Sequence, residues 1–164
     1  KFASCIVYSV VLMQFITWSA LGLGVLIRGW GGGLFAIAPE QQYAAFYDAG
    51  EGLWRYAVGS VFLAMSMTSA ASIAFFFSCW RIKPSAATIT ALSYLFIDMV
   101  LREGHFMDSY KHLLVTQYMA SWSLVFFEQI PWVTIIRNYT VLAGISVTLF
   151  VLGAAVFESR DVKS

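Results

Sequence analysis

Long uncharged segments constrain the fold of this chain more than any other feature of its sequence. No charged side chain occurs in residues 2–27, 56–80 or 138–157. A helix that crosses a bilayer needs about 20 mostly apolar residues, because lipid offers unpaired backbone groups no hydrogen-bond partners. Only 12% of the residues are charged, against roughly 25% in a soluble domain. The sequence therefore predicts an integral membrane protein.

The same pattern predicts an all-α fold, a polytopic membrane helical bundle in a single transmembrane domain, residues 1–164. The segment 28–52 is rich in glycine, which interrupts helices, so we expect a connection there. Its apolar part, residues 34–38, could dip into the membrane interface. The four expected spans are about 2–27, 53–80, 86–101 and 139–157.

The uncharged run at residues 113–127 is too short to cross the membrane. As an α-helix it would rise about 22 Å, less than a hydrocarbon core of roughly 30 Å. We therefore predict an external interfacial or re-entrant helix that ends at Pro131, with a fifth span as the alternative. Gln117 and Ser121 should meet water or a polar vestibule. The opposite, apolar side has Leu114, Tyr118, Trp122 and Phe126.

Loop lengths orient the chain. Arg81 and Lys83 lie in a very short turn between the second and third spans, and Arg160 and Lys163 follow the last span closely. Basic residues in such positions stay in the cytoplasm. We therefore expect both termini and the 81–84 turn to be cytoplasmic.

Three polar residues inside the predicted spans are candidates for the wall of a translocation path or for helix packing. Asp98 lies in the third span, where charges are rare and often functional. Arg102 follows four residues later, so a structural ion pair is the interpretation we favour. Ser66 and Ser69 belong to a run of small residues that lets helices approach closely, and packing is favoured there too.

The sequence predicts no catalytic residue, bound cofactor or metal site. His105 and His112 lie among charged residues in a connection, so we interpret them as solvated loop histidines. Cys5 and Cys79 lie inside apolar runs and are expected to be buried small hydrophobes. No phosphate-binding loop, nucleophile elbow or zinc-protease motif occurs. A net charge of +1 does not indicate nucleic-acid binding.

Three features resemble the permease subunits of type-2 ATP-binding-cassette transporters. Residues 81–91 join the second and third spans, and residues 129–132 read Gln-Ile-Pro-Trp before the last span. That span ends in glycine and phenylalanine, and a charged cap with Arg160 and Asp161 follows. The resemblance covers about residues 53–164. The family usually has six spans, cytoplasmic termini and an external helical element between the last two spans. This chain would supply the last four spans, as the C-terminal part of a longer permease. The first two spans would then precede Lys1.

The resemblance implies a transmembrane permease subunit of an ATP-driven exporter, forming part of the translocation path and without enzymatic activity of its own. It implies a dimer of permease subunits, surrounded by membrane lipid, in a bacterial plasma (inner) membrane. ATP and Mg²⁺ would be held by a separate ATPase subunit, with Arg81 and Lys83 as contacts to it. One alternative is a structural or anchoring subunit of a larger membrane complex. Another is a membrane enzyme that uses His105 or His112 with Asp108.

Overall fold

The computed structural model of the protein describes residues 2–38, 43–80, 82–104, 111 and 113–161. Four of the described helices are long and apolar enough to cross a membrane, which agrees with the prediction of a helical bundle in a membrane protein. The elements, in chain order, are α1 (Phe2–Arg28), β1 (Gly33–Ala38), β2 (Tyr43–Asp48), α2 (Ala49–Ser78), α3 (Pro84–Glu103), α4 (Val115–Met119), a 3₁₀ helix (Ala120–Phe126) and α5 (Trp132–Asp161).

Helix α2 is the centre of the bundle, since α1, α3 and α5 all pack against it. Small side chains make this close packing of several helices around one helix feasible. An apolar core joins α2 to α3, α5 and the 3₁₀ helix and includes Ile73, Ala91, Val125 and Ile135. The small buried residues of α2 are Gly52, Gly59, Ser60, Ala64, Ser66, Ser69 and Ser72.

A β-hairpin replaces the connection expected between the first two spans. Strands β1 and β2 are antiparallel, with Gly33 opposite Asp48 and Phe35 opposite Phe46. The hairpin packs directly on the first turn of α2: a Cβ atom added to Gly52 would lie only 2.6 Å from the Cβ atom of Leu34. The apolar stretch at 34–38 is therefore a strand held against a helix, a contact that local sequence does not reveal.

The last membrane helix begins earlier than predicted. Helix α5 starts at Trp132, directly after Pro131, and the Ile135 amide donates a hydrogen bond to the Pro131 carbonyl at 3.1 Å. Proline suits a helix start because the first turn leaves its backbone N–H groups unpaired anyway. The expectation that Pro131 ends the preceding helix is wrong, since the 3₁₀ helix already ends at Phe126.

The segment from Val115 to Phe126, hereafter the re-entrant segment after the prediction from the sequence, packs inside the bundle against α2, α3 and α5. Ser66 donates a hydrogen bond to the Met119 carbonyl at 3.0 Å, and Arg55 donates one to the Val125 carbonyl at 2.8 Å. Ser66 lies three helical turns beyond Arg55 on α2, which is about 16 Å along the axis. The segment therefore runs along α2 between these two levels, and it is not among the described helices long enough to span.

The prediction that Ser121 meets water is wrong. Ser121 is 3% exposed, and its hydroxyl accepts a hydrogen bond from the Asn138 side-chain amide at 2.8 Å. Helices α2 and α5 both contact the re-entrant segment, so its polar side chains can lie against protein. A buried hydroxyl there requires a protein partner in place of solvent. Gln117, on the same predicted face, is exposed.

Candidate functional site

Arg55 joins several elements through one charged side chain. Its guanidinium is buried near the start of α2 and donates hydrogen bonds to the carbonyls of Val125, Phe127 and Glu128. It also forms an ion pair with Glu51, one helical turn earlier, at 2.7 Å. Because arginine carries five donors in a fixed planar arrangement, one side chain can satisfy several carbonyls at once.

The hairpin contributes to the same cluster through Tyr47. The Arg55 guanidinium carbon lies 4.3 Å from the centre of the Tyr47 ring, a cation–π contact. The Tyr47 hydroxyl donates a hydrogen bond to the Phe126 carbonyl, and it is 3.0 Å from the Tyr43 hydroxyl. Burial, followed by the contact with Tyr43, raises the pKa of Tyr47 from 10.0 to about 12.

Arg55 and Tyr47 thus form a clamp that joins α2, the hairpin and the end of the re-entrant segment. The three carbonyls that accept from Arg55 lie in the last turn of the 3₁₀ helix and directly after it, where a helix leaves carbonyls without partners of its own. Arg55 was not among the site residues predicted from the sequence. The available signal was a charge near the start of an otherwise uncharged span, a pattern that marks a functional or structural site.

Ser66 and Ser69 both lie at buried contacts between α2 and α5. The Ser66 hydroxyl is 3.0 Å from the Tyr139 hydroxyl, and Tyr139 also donates a hydrogen bond to the Phe62 carbonyl at 2.8 Å. Ser146 donates to the Ser69 hydroxyl at 3.1 Å. These positions fit the packing interpretation of both serines, while their part in a translocation path stays a prediction.

Asp98 and Arg102 converge on the main chain of Thr116. The Asp98 carboxylate accepts a hydrogen bond from the Thr116 amide at 2.7 Å, and Arg102 approaches the Thr116 carbonyl at 3.4 Å. Asp98 is buried, at 5% exposure. It therefore accepts an amide in the first turn of α4, where a negative charge is favoured. A role of Asp98 in a translocation path stays a prediction.

A cavity of about 520 Å³ lies between β1, α2, the last turns of α3 and the re-entrant segment. Most of its wall is apolar and includes the flexible side chains of Met67, Met99 and Met119. Its polar groups include Ser66, Arg102 and Thr116. The Thr116 hydroxyl is buried and has no hydrogen-bond partner within the described residues.

The remaining candidates lie partly outside the described residues. Arg81, His105, Asp108 and His112 belong to the parts of the chain that the structure does not describe. Lys83 is exposed in the turn before α3, so its expected contact with an ATPase stays a prediction. Cys79 is buried, as predicted. In the described part of the chain, no group of three or more metal-ligating side chains is found.

A comparison of the chain with protein-family models, with curated proteins and with solved structures finds no match.

Proposed function

We propose that this chain is a transmembrane permease subunit of an ATP-driven exporter. The observation that supports the proposal is the re-entrant segment, which lies between the third and last candidate spans without being a span itself. The family that the sequence resembles has a helical element at this place. The hydrogen bonds from Arg55 and Ser66 hold the segment inside the helical bundle, so it packs as part of the transmembrane domain.

In this proposal the turn between α2 and α3 faces the cytoplasm and the hairpin faces the opposite side. ATP and Mg²⁺ are bound by a separate ATPase subunit, and two permease subunits together enclose the path. Lys83 is exposed beside the start of α3, where a basic side chain can contact an acidic surface of that ATPase. Arg81 contributes a second basic side chain to the same contact with the ATPase.

Co-purification tests the proposal. The full-length protein is tagged, extracted from its native membrane in mild detergent, and its partners are identified by mass spectrometry. We expect an ATP-binding-cassette ATPase in stoichiometric amount. The double variant Arg81→Glu, Lys83→Glu should lower the ATPase yield at least about fivefold, because it places like charges at the contact. Arg28→Glu is the matched control, since Arg28 is exposed at the hairpin end of α1.

Two outcomes would contradict the proposal. If the protein is recovered in a stable assembly without an ATPase, it is a structural or anchoring subunit of that assembly. If Arg28→Glu lowers the ATPase yield as much as the double variant does, the ATPase contact is not at the 81–84 turn.

A further inference from the structure

We propose that the cavity beside β1 binds an uncharged apolar peptide in an extended conformation, which adds as a third strand to the open edge of β1. The hairpin is a two-stranded sheet, and β1 pairs with β2 along its whole length, from Gly33 opposite Asp48 to Ala38 opposite Tyr43. This pairing uses one edge of β1 and leaves the other edge open. The inference concerns peptide binding alone and does not depend on ATP-driven export.

The cavity lies along the open edge of β1. Four consecutive residues of this strand, Leu34 to Ile37, line the cavity of about 520 Å³, whereas none of the residues of β2, all of them described, lines it. Successive side chains of a strand point to opposite faces of a sheet. A cavity that touches four consecutive residues of one strand and none of its neighbour therefore borders the edge of the sheet. At about 3.3 Å per residue, this border is about 13 Å long.

The open edge of β1 presents backbone groups that need partners. In an antiparallel pair, every second residue directs its N–H and C=O groups away from the neighbouring strand. Among the described residues, the backbone hydrogen bonds outside helices and strands involve none of residues 33–38. Unpaired backbone groups beside an apolar wall are costly. An extended peptide supplies amides and carbonyls at the spacing that pairs with such an edge.

The rest of the cavity wall favours apolar side chains on that peptide. Trp122 and Phe126 of the re-entrant segment and Tyr56 of α2 line the cavity with aromatic rings. Arg102 also lines it, but this side chain already approaches the Thr116 carbonyl, at 3.4 Å. The other lining residues in the described part of the chain are uncharged. The cavity therefore offers a ligand apolar surface and backbone partners, which matches a neutral peptide.

A second copy of this chain fits the open edge less well than a slender peptide does. The other walls of the cavity belong to α2, α3 and the re-entrant segment of the same bundle. A second copy would have to bring its own hairpin and helices into this space. A single added strand needs only the distance between neighbouring strands, about 4.8 Å from β1.

The test uses purified full-length protein in nanodiscs of phosphatidylcholine and the tetrapeptide Val-Ile-Leu-Val, acetylated and amidated, with a diazirine on its leucine. After illumination, mass spectrometry should find the label in residues 34–37 and 122–126. The same tetrapeptide with every amide N-methylated keeps the side chains but loses the donors. It should label these residues at least about fivefold less, because each hydrogen bond changes affinity about two- to tenfold. Simple partition into lipid predicts the opposite order, since methylation makes the peptide more apolar.

Two variants locate the site. Ser123→Trp fills the cavity from the re-entrant segment and should lower labelling about tenfold, while Gln117→Trp, at an exposed position of the same segment, should leave it unchanged. If Ser123→Trp does not fold, the comparison of the two peptides in the unchanged protein still decides. Equal labelling by both peptides, or equal loss in both tryptophan variants, would overturn the proposal. A disulfide-linked dimer formed by Phe35→Cys in its native membrane, but not by the unchanged protein, would also overturn it, because a second copy would then occupy the edge.

Discussion

Removing the Arg55 side chain should destabilise the protein far more than removing its acidic partner. In Arg55→Met the carbonyls of Val125, Phe127 and Glu128 lose a donor at a site where Arg55 is only 5% exposed. Taking one partner from a buried charged network usually costs about 3–5 kcal/mol. Glu51 is 52% exposed in its ion pair, so Glu51→Gln should cost less than about 1 kcal/mol.

The measurement is the free energy of unfolding in mixed micelles, by titration of the detergent-solubilised protein with a denaturing detergent. Arg55→Lys should lie between the two variants, since lysine keeps the charge but loses the planar set of donors. Arg137→Met, at an exposed arginine of α5, is the control for loss of a guanidinium. If Glu51→Gln costs as much as Arg55→Met, the ion pair carries the stability and the carbonyl clamp does not.

Two further predictions concern the re-entrant segment and the hairpin. Ser121→Lys should abolish folding, measured as the yield of folded protein in detergent, because it places an amine against Asn138 in a buried site. Gln117→Lys, at an exposed position, should be tolerated. Equal yields of the two variants would mean that the Ser121 site is open to water. The raised pKa of Tyr47, about 12 against 10.0, favours the neutral phenol in the folded protein. The contribution of Tyr47 to stability should thus be complete below about pH 10 and should be lost as the pH rises towards 12. The melting temperature of Tyr47→Phe should therefore fall less over this pH range than that of the unchanged protein. Equal falls in both proteins would contradict a raised pKa of Tyr47.

The sequence predicted those features that depend on local composition. Three of the four candidate spans follow from uncharged runs, and the remaining one from a shorter apolar run that contains Asp98, because apolar length is a property of each segment alone. The short run at 113–127 was also correctly kept apart from the spans, since its length is insufficient for the bilayer. The helix boundaries were less accurate, and α2 begins at Ala49, several residues before the predicted start. Glycines in its first turn obscured that start.

The features that the sequence did not reveal depend on contacts between distant residues. The hairpin forms where Leu34 packs on Gly52 and Tyr47 packs on Arg55. The burial of Ser121 could not be read from helical periodicity, because that argument assumes solvent on one side of the segment. The Arg55 contact with Val125 joins residues 70 positions apart, and its acceptors are backbone carbonyls, which every residue type carries.

The last of these observations explains how a short, non-spanning element can exist inside this bundle. A 3₁₀ helix leaves carbonyls unpaired at its end, and the apolar interior of a membrane supplies no donor for them. Helix α2 supplies donors at two heights. Arg55 donates to the carbonyls of Val125, Phe127 and Glu128 at that end, and Ser66 donates to the Met119 carbonyl directly before the 3₁₀ helix. The spacing of these two residues along α2 therefore sets the two levels at which the re-entrant segment is held. The sequence signal for this element lies on another helix, in the position of one arginine and one serine.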